Sequence, residues 1–178
     1  MKDLGRLKYF LGIEVLRSKK GIFISQKKYT LDFLAEAGIL DCKPAETPMA
    51  VNHGLQIVKG AELADRGKYQ RLVGKLIYLS HTRPDIAYAI GVVSQFMHQP
   101  QADHMEAALR IMRYLKGTFD YGVLFRKPGH LEIQAYTDAD WAGNPVDRKS
   151  TAGYFASVGG NLVSWRSKKQ KVVALSSA

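Results

Sequence analysis

Three successive stretches of the chain carry apolar residues at the spacing of one helix face. Tyr69, Leu72, Val73, Leu76 and Ile77 fall at i, i+3, i+4, i+7 and i+8. Ile86, Ala89, Ile90, Val93 and Met97 form a second stripe behind Thr82-Arg83-Pro84-Asp85, where a first-turn proline is tolerated and an acid is favoured. Pro100 ends that stripe. Met105, Ala108, Leu109, Met112 and Leu115 form a third, from near Ala102 to a stop at Gly117. Three amphipathic helices joined by short turns should pack on one another, with their Met and aromatic positions serving as core.

The period is two on either side of them. Leu7 to Leu16 reads as a strand rich in aromatic and branched residues, Ser18-Lys19-Lys20-Gly21 as a turn, and Ile22-Phe23-Ile24 as the second strand of a hairpin. Ser25 is placed to cap a helix over Lys27 to Ala37, with Tyr29, Phe33, Leu34 and Ala37 on one face and Gly38 as its stop. Pro44 to Gly60 has no period and reads as an extended linker. Past Gly117, Gly122-Val123-Leu124-Phe125, a turn at Lys127-Pro128-Gly129 and a half-buried strand over Leu131 to Thr137 predict another hairpin. Ala152 to Val158 and Leu162 to Trp165 are two more strands, joined through Gly159-Gly160-Asn161, and Ser167 to Lys171 is a basic loop.

Charge changes the picture more than composition does. Hydrophobic residues make up 46% of the 178, a globular share, and no apolar run is long enough to cross a membrane. No secretory signal opens at Met1-Lys2-Asp3-Leu4-Gly5, and Cys42 is the only cysteine, so an intracellular, reducing setting in cytoplasm or nucleus is expected. Lys and Arg number 26 against 16 Asp and Glu, a net charge of +10. That exceeds the magnitude of about 2–8 that keeps a small domain soluble, so a polyanion is the expected partner. Lys68, Arg71 and Lys75 lie along one face of the first helix, and Arg110, Arg113 and Lys116 form a second strip. Either could follow a phosphate backbone; the bland alternative is a solvated basic face.

The candidate chemistry sits at Tyr136-Thr137-Asp138-Ala139-Asp140-Trp141-Ala142-Gly143, before a turn at Asn144-Pro145. Acids two apart on a strand share a face, and carboxylates are hard donors suited to Mg²⁺. On spacing alone, capping of a solvated loop explains Asp138 and Asp140 better. A hydrolase metal site that adds a histidine finds no support. His98 and His104 are six apart, which suits neither a helix face nor a zinc motif, and His53, His81 and His130 stand alone.

Taken together, these motifs resemble the C-terminal part of a copia-type retrotransposon reverse transcriptase running into its ribonuclease H domain. Lys2-Asp3-Leu4-Gly5 and Tyr9-Phe10-Leu11-Gly12-Ile13-Glu14-Val15 match the family's stretch after the polymerase site, Tyr69 to Leu79 and Thr82 to Tyr88 its helical region, and Arg113 to Thr118 the end of that region. Tyr136 to Gly143 matches the opening strand of its ribonuclease H, continued by Arg148 to Tyr154 and Ser164 to Gln170. The resemblance covers nearly the whole chain and reverses the reading of Asp138.

What the resemblance implies is an α+β chain in three parts. Residues 1–48 would hold a primer-grip-like hairpin (Leu11, Gly12, Ile13, Glu14, Val15) and a first thumb-like helix, residues 49–120 a linker and a thumb-and-connection-like bundle, and residues 121–178 a truncated ribonuclease H-like antiparallel sheet. Asp138 aligns with the first metal-binding aspartate, and Asp140 is a secondary candidate. The parent reactions are RNA-directed DNA synthesis and cleavage of RNA in an RNA–DNA hybrid, with Mg²⁺ as cofactor. The expected partners are RNA–DNA hybrid or duplex and the remaining polymerase and ribonuclease H segments of the polyprotein. The polymerase Asp-Asp pair occurs nowhere in the sequence, and the next ribonuclease H acid would follow Ser176-Ser177-Ala178. The chain alone is therefore expected to hold no Mg²⁺ tightly and to have neither activity. The family's covering helix would also lie beyond Ala178. Tyr154, Phe155, Val163 and Trp165 are then expected to stay partly exposed, and the part beyond Leu131 to be less stable than the helices unless it packs on them.

Overall fold

Asp65 begins the clearest helix as an N-cap, its carboxylate accepting the Lys68 N–H at 2.9 Å. In the computed structural model, which describes residues 5–141, 143 and 148–173, this helix, α2, spans Arg66–Leu79. Preceding it are β1 (Tyr9–Phe10), β2 (Ile13–Ser18), β3 (Gly21–Ser25) and α1 (Lys27–Glu36). Following it are α3 (Ala87–Val93), α4 (Ala102–Gly117), β4 (Gly122–Phe125), β5 (Ile133–Ala139), β6 (Thr151–Val158) and β7 (Asn161–Lys169). The described residues thus form an α+β chain with four α-helices and two antiparallel sheets, β1-β2-β3-β4 and β5-β6-β7. None of its helices is long and apolar enough to cross a membrane. The Lys2-Asp3-Leu4 motif, the Asn144-Pro145 turn and everything from Ala174 onward lie outside the described residues.

The core is helical, as the 3.6-residue pattern predicts. Leu34, Tyr69, Val73, Leu76, Leu79, Ile86, Val93, Ala108, Met112 and Leu115 are buried in one cluster that draws nothing from β5–β7. Ile111 joins it although it fell outside the sequence stripe, while Ile77 and Ala37 face solvent. The second stripe is not one helix. Three-residue 3₁₀ turns at Pro84–Ile86 and Ser94–Phe96 flank the seven residues of α3. The Ser94 Oγ and Gln95 Nε2 both donate to the Gly91 carbonyl, at 3.0 and 3.3 Å, and compete with the backbone for that acceptor.

Four further expectations need correction. Leu7 to Leu16 is not a continuous strand: Leu11 and Gly12 take φ of 48° and 78°, and β1 folds back on β2 with Phe10 opposite Ile13. The Tyr78 hydroxyl donates to the Leu11 carbonyl, and the Tyr29 and Tyr78 rings close over Gly12. Ser25 caps nothing. It is a buried ladder residue opposite Glu14 and Gly122, and Gln26 stands at the helix N-cap without a side-chain capping bond, its Oε1 accepting from the Thr82 hydroxyl instead. Gly122 to Phe125 does not pair with the strand that follows; it pairs with β3, Gly122 opposite Ser25. A Cβ on Gly122 would lie 2.1 Å from the Ile24 carbonyl oxygen, so only glycine permits that approach. Ser167 to Lys169 continues β7 rather than forming a loop, because it pairs with Thr151 to Gly153 of β6.

β5 is also exposed at all seven positions instead of half-buried. It is the edge strand farthest from the helices, which reach only β7: Ser167 rests on Gly91 of α3, and Trp165 Nε1 donates to the Ser80 carbonyl at 2.9 Å. Tyr154, Phe155 and Val163 remain 44–47% exposed, as the pattern implied, while Trp165 is half-buried by this docking. Gly159 and Gly160, with φ of 56° and 73°, make the two-residue turn between β6 and β7. The linker from Pro44 to Gly60 has no regular structure but is stitched down. The Gln101 side chain exchanges hydrogen bonds with both backbone groups of Val58, and Met49 enters the core.

His104 makes the core pH-sensitive. Its ring is buried, stacked on Phe96 with centroids 3.7 Å apart. Nδ1 accepts the Gln101 N–H at 2.9 Å and Nε2 donates to the Gln56 carbonyl at 3.2 Å, which fixes the neutral form. Burial holds its pKa below the ordinary value, against smaller opposing effects of the Gln56 carbonyl and Asp103. The unfolded chain therefore takes up a proton near its ordinary pKa of about 6.5, and the folded chain only at lower pH. Stability is fully present above that value and falls as pH drops through it towards the folded pKa. The urea midpoint is expected to be lower at pH 5.5 than at 7.5, with the difference reduced in His104→Phe. An unchanged difference in that variant would contradict the assignment. His53, also pushed down by burial, adds in the same sense.

Candidate functional site

Strand alternation puts Tyr136 and Asp138 on one face of β5, and Asp140, one residue past its end, is held to Thr151. Through the ladder they stand in line with Phe155, Gly153 and Thr151 of β6 and Trp165, Ser167 and Lys169 of β7. Tyr136 stacks on Phe155 with centroids 4.8 Å apart. Beyond the β7–α3 contact this face overhangs, and a cleft of about 570 Å³ opens between it and residues 84–88. Pro84, Tyr88, Tyr136, Phe155 and Trp165 form its walls, and Asp85 and Asp138 both line it.

The three acids near this cleft are not equivalent. Asp138 is exposed, and its carboxylate has no partner among the described residues. Asp140 Oδ1 accepts the Thr151 N–H at 2.6 Å while its own N–H donates to the Thr151 carbonyl at 3.1 Å. Gly143 lies against that carboxylate so closely that a Cβ there would meet it at 2.4 Å. Asp140 thus closes the end of the β5–β6 ladder, which is the cap reading of this pair. Asp85 is chelated by Arg83 and also accepts from the Tyr114 hydroxyl at 2.9 Å. Among the described residues no three His, Cys, Asp or Glu side chains gather as metal ligands. Two dications need several carboxylates to neutralise and position them. One free carboxylate beside two engaged ones does not fit such a pair, and no step is assigned to a metal.

The basic strips divide in the same way. Lys68 and Arg71 are exposed, and both interact electrostatically with the Asp65 carboxylate. Lys75 pairs with Glu36 and lies 5.4 Å from the centre of the Phe33 ring. The second strip is engaged within the molecule. Arg110 donates to Thr47 Oγ1 at 2.9 Å, Arg113 pairs with Glu106, and Lys116 donates to the Cys42 carbonyl. Arg110 and Lys116 thus tie Thr47 and Cys42 to α4, whereas the Arg113–Glu106 pair lies within that helix. Of the residues expected from the resemblance to be primer-grip-like, Leu11 and Gly12 form the tight turn between β1 and β2, Ile13, Glu14 and Val15 open β2, and Glu14 Oε1 accepts the Lys28 N–H at 2.8 Å. Tyr9, Phe10 and Leu11 stay exposed at its tip. Cys42 is half-buried and unpaired. The histidines are dispersed, with His98 exposed and His53, His81 and His130 bonded to nearby backbone.

No local pattern announces the buried node at Arg83. Its guanidinium is 1% exposed and bonds Asp85, the Thr118 carbonyl and Thr118 Oγ1, between the rings of Tyr114 and Tyr121. An arginine beside Pro84-Asp85 reads as a helix start; its partner 35 residues away does not show.

No family model matches the chain. No solved structure matches it either. Over 177 residues it is 47% identical to the retrovirus-related Pol polyprotein from transposon RE1 of Arabidopsis thaliana, covering 99% of this chain and 12% of the relative. It is 38% identical over 187 aligned positions to the corresponding polyprotein from transposon TNT 1-94 of Nicotiana tabacum, covering 99% of this chain and 14% of the relative. The uncharacterized mitochondrial protein AtMg00810 of Arabidopsis thaliana is 42% identical over 177 residues, covering 99% and 73%. The chain thus spans about an eighth of the length of the Pol polyproteins it matches.

Proposed function

The chain belongs to the copia-type retrovirus-related Pol polyproteins of transposons, and on that premise we propose that it is the part lying between the polymerase centre and the ribonuclease H centre, holding an RNA–DNA hybrid without cutting it. In this reading the β1–β3 segment is primer-grip-like, α1–α4 are thumb-and-connection-like, and β5–β7 open a ribonuclease H-like sheet with Asp138 at its first metal position. The other segments of the polyprotein supply the remaining acids and are its covalent partners. Mg²⁺ belongs to the assembled parent enzyme.

The observation that carries the reading is the contrast at the strand end. Asp138 is open to solvent with no partner among the described residues, while Asp140 Oδ1 is engaged by Thr151 and the Asp85 carboxylate by Arg83 and Tyr114. Such a site contributes one ligand to a metal pair and completes none. The net charge of +10, with Lys68 and Arg71 exposed on α2, supports contact with a polyanion.

The test is cleavage of a labelled RNA–DNA hybrid by the purified 178-residue polypeptide in Mg²⁺ or Mn²⁺. No product above the protein-free blank is expected, and Asp138→Asn is expected to behave identically. Cleavage that depends on the cation and disappears in Asp138→Asn would overturn the proposal.

A further inference from the structure

We infer that a second cleft, beside the one that holds Asp138, seats the phosphate backbone of one nucleic-acid strand; this rests on the hybrid-holding reading and gives it a location. The cleft, of about 630 Å³, runs between the end of α2, α3 and the outer side of β7. It shares Ala87, Trp165, Arg166 and Ser167 with the first cleft as a common partition. The two differ in charge. Arg166 lines both; the first adds two carboxylates, whereas the second is lined by no Asp or Glu and adds Lys168.

The donors suit an anion. Ser164, Arg166 and Lys168 alternate along one face of β7, about 7 Å apart in succession, so neighbouring cations can meet successive phosphates. Arg166 and Lys168 are exposed and have no partner among the described residues. Ser80 and Ser94 already donate to the Ile77 and Gly91 carbonyls, at 2.6 and 3.0 Å, which leaves the Ser164 and Ser167 hydroxyls as the free neutral donors. His81 turns Nδ1 to the Tyr78 carbonyl at 2.9 Å, so that nitrogen is already engaged. The walls also hold their spacing. The Trp165 indole bonds the Ser80 carbonyl across the cleft, and Gly91 lets α3 approach the Ser167 backbone. A preformed groove of fixed width with cations at its rim binds a backbone without reading sequence.

The test uses the full chain with Arg166→Gln and Lys168→Gln together, titrated with a labelled RNA–DNA hybrid between 50 and 200 mM salt. Both residues are exposed, so the thermal midpoint should stay at its wild-type value. The slope of log K against log salt should become shallower by about 2, one phosphate contact per cation removed. Lys19→Gln with Lys20→Gln, on the distant β2–β3 turn, should change it less. Wild-type slope and affinity in the Arg166/Lys168 variant would overturn the groove and leave the hybrid-holding proposal standing. Failure of the wild-type chain to bind hybrid would overturn both.

Discussion

Asp85→Asn is expected to destabilise the folded chain by about 3–5 kcal/mol, the usual loss when a buried ion pair is deprived of one partner. The asymmetry of the pair sets the direction of the effect. The Arg83 side chain is 1% exposed and that of Asp85 31%. Water can reach a carboxylate left by loss of Arg83, but not a guanidinium left by loss of Asp85. Asparagine keeps the shape and one acceptor, yet leaves the buried cation without a counter-charge. The Thr118 oxygens, at 2.7 and 2.8 Å, and two tyrosine rings hold the guanidinium in place but carry no negative charge. Urea unfolding should therefore rank Asp85→Asn below wild type by more than the double variant Arg83→Met/Asp85→Leu, which removes both charges. A cost under about 1 kcal/mol, the range of a surface pair, would mean that Arg83 is not buried as described. The node joins the start of α3 to the end of α4, so much of the core depends on it.

What the sequence disclosed and what it hid follow one physical division. The stripes over Tyr69–Ile77 and Met105–Leu115 were legible because burial against a common core imposes a 3.6-residue period that any helix must show. The hairpin turn at Gly159-Gly160 was legible because two consecutive left-handed residues demand glycine. The partner of a strand is not written in its own residues, and so β4 was matched with β5 when β3 holds it through Gly122. The alternation of β5 was read as half-burial, yet no helix reaches that strand. At the candidate site, spacing placed Asp138 and Asp140 on one face, and the Thr151 N–H, which no local pattern announces, separates their roles. The strip Arg110/Arg113/Lys116 was correctly gathered on α4, but Thr47, Glu106 and Cys42 engage it. Whether a surface cation is free depends on its neighbours in space, which is why Arg166 and Lys168 emerge only from the folded chain.

Binding of the RNA–DNA hybrid should weaken by roughly 10³-fold between 50 and 200 mM salt. The magnitude follows from counterion release: about six phosphate contacts give a log–log slope near −5. Arg166 and Lys168 are exposed cations without partners among the described residues, Lys68 and Arg71 are exposed beside Asp65, and the net charge of +10 supplies further contacts. No carboxylate cluster takes part, so Mg²⁺ should not be required: binding should persist in EDTA, should be weakened by Mg²⁺ only as a competing counterion, and should survive Asp138→Asn. Hydrophobic docking would respond to salt weakly and in the opposite sense. The account is tested most directly by measuring hybrid affinity across that salt range, with and without Mg²⁺. A slope near −5 in EDTA, with no gain in affinity when Mg²⁺ is added, is what it predicts. A flat salt response, or binding that requires Mg²⁺ and vanishes in Asp138→Asn, would contradict it.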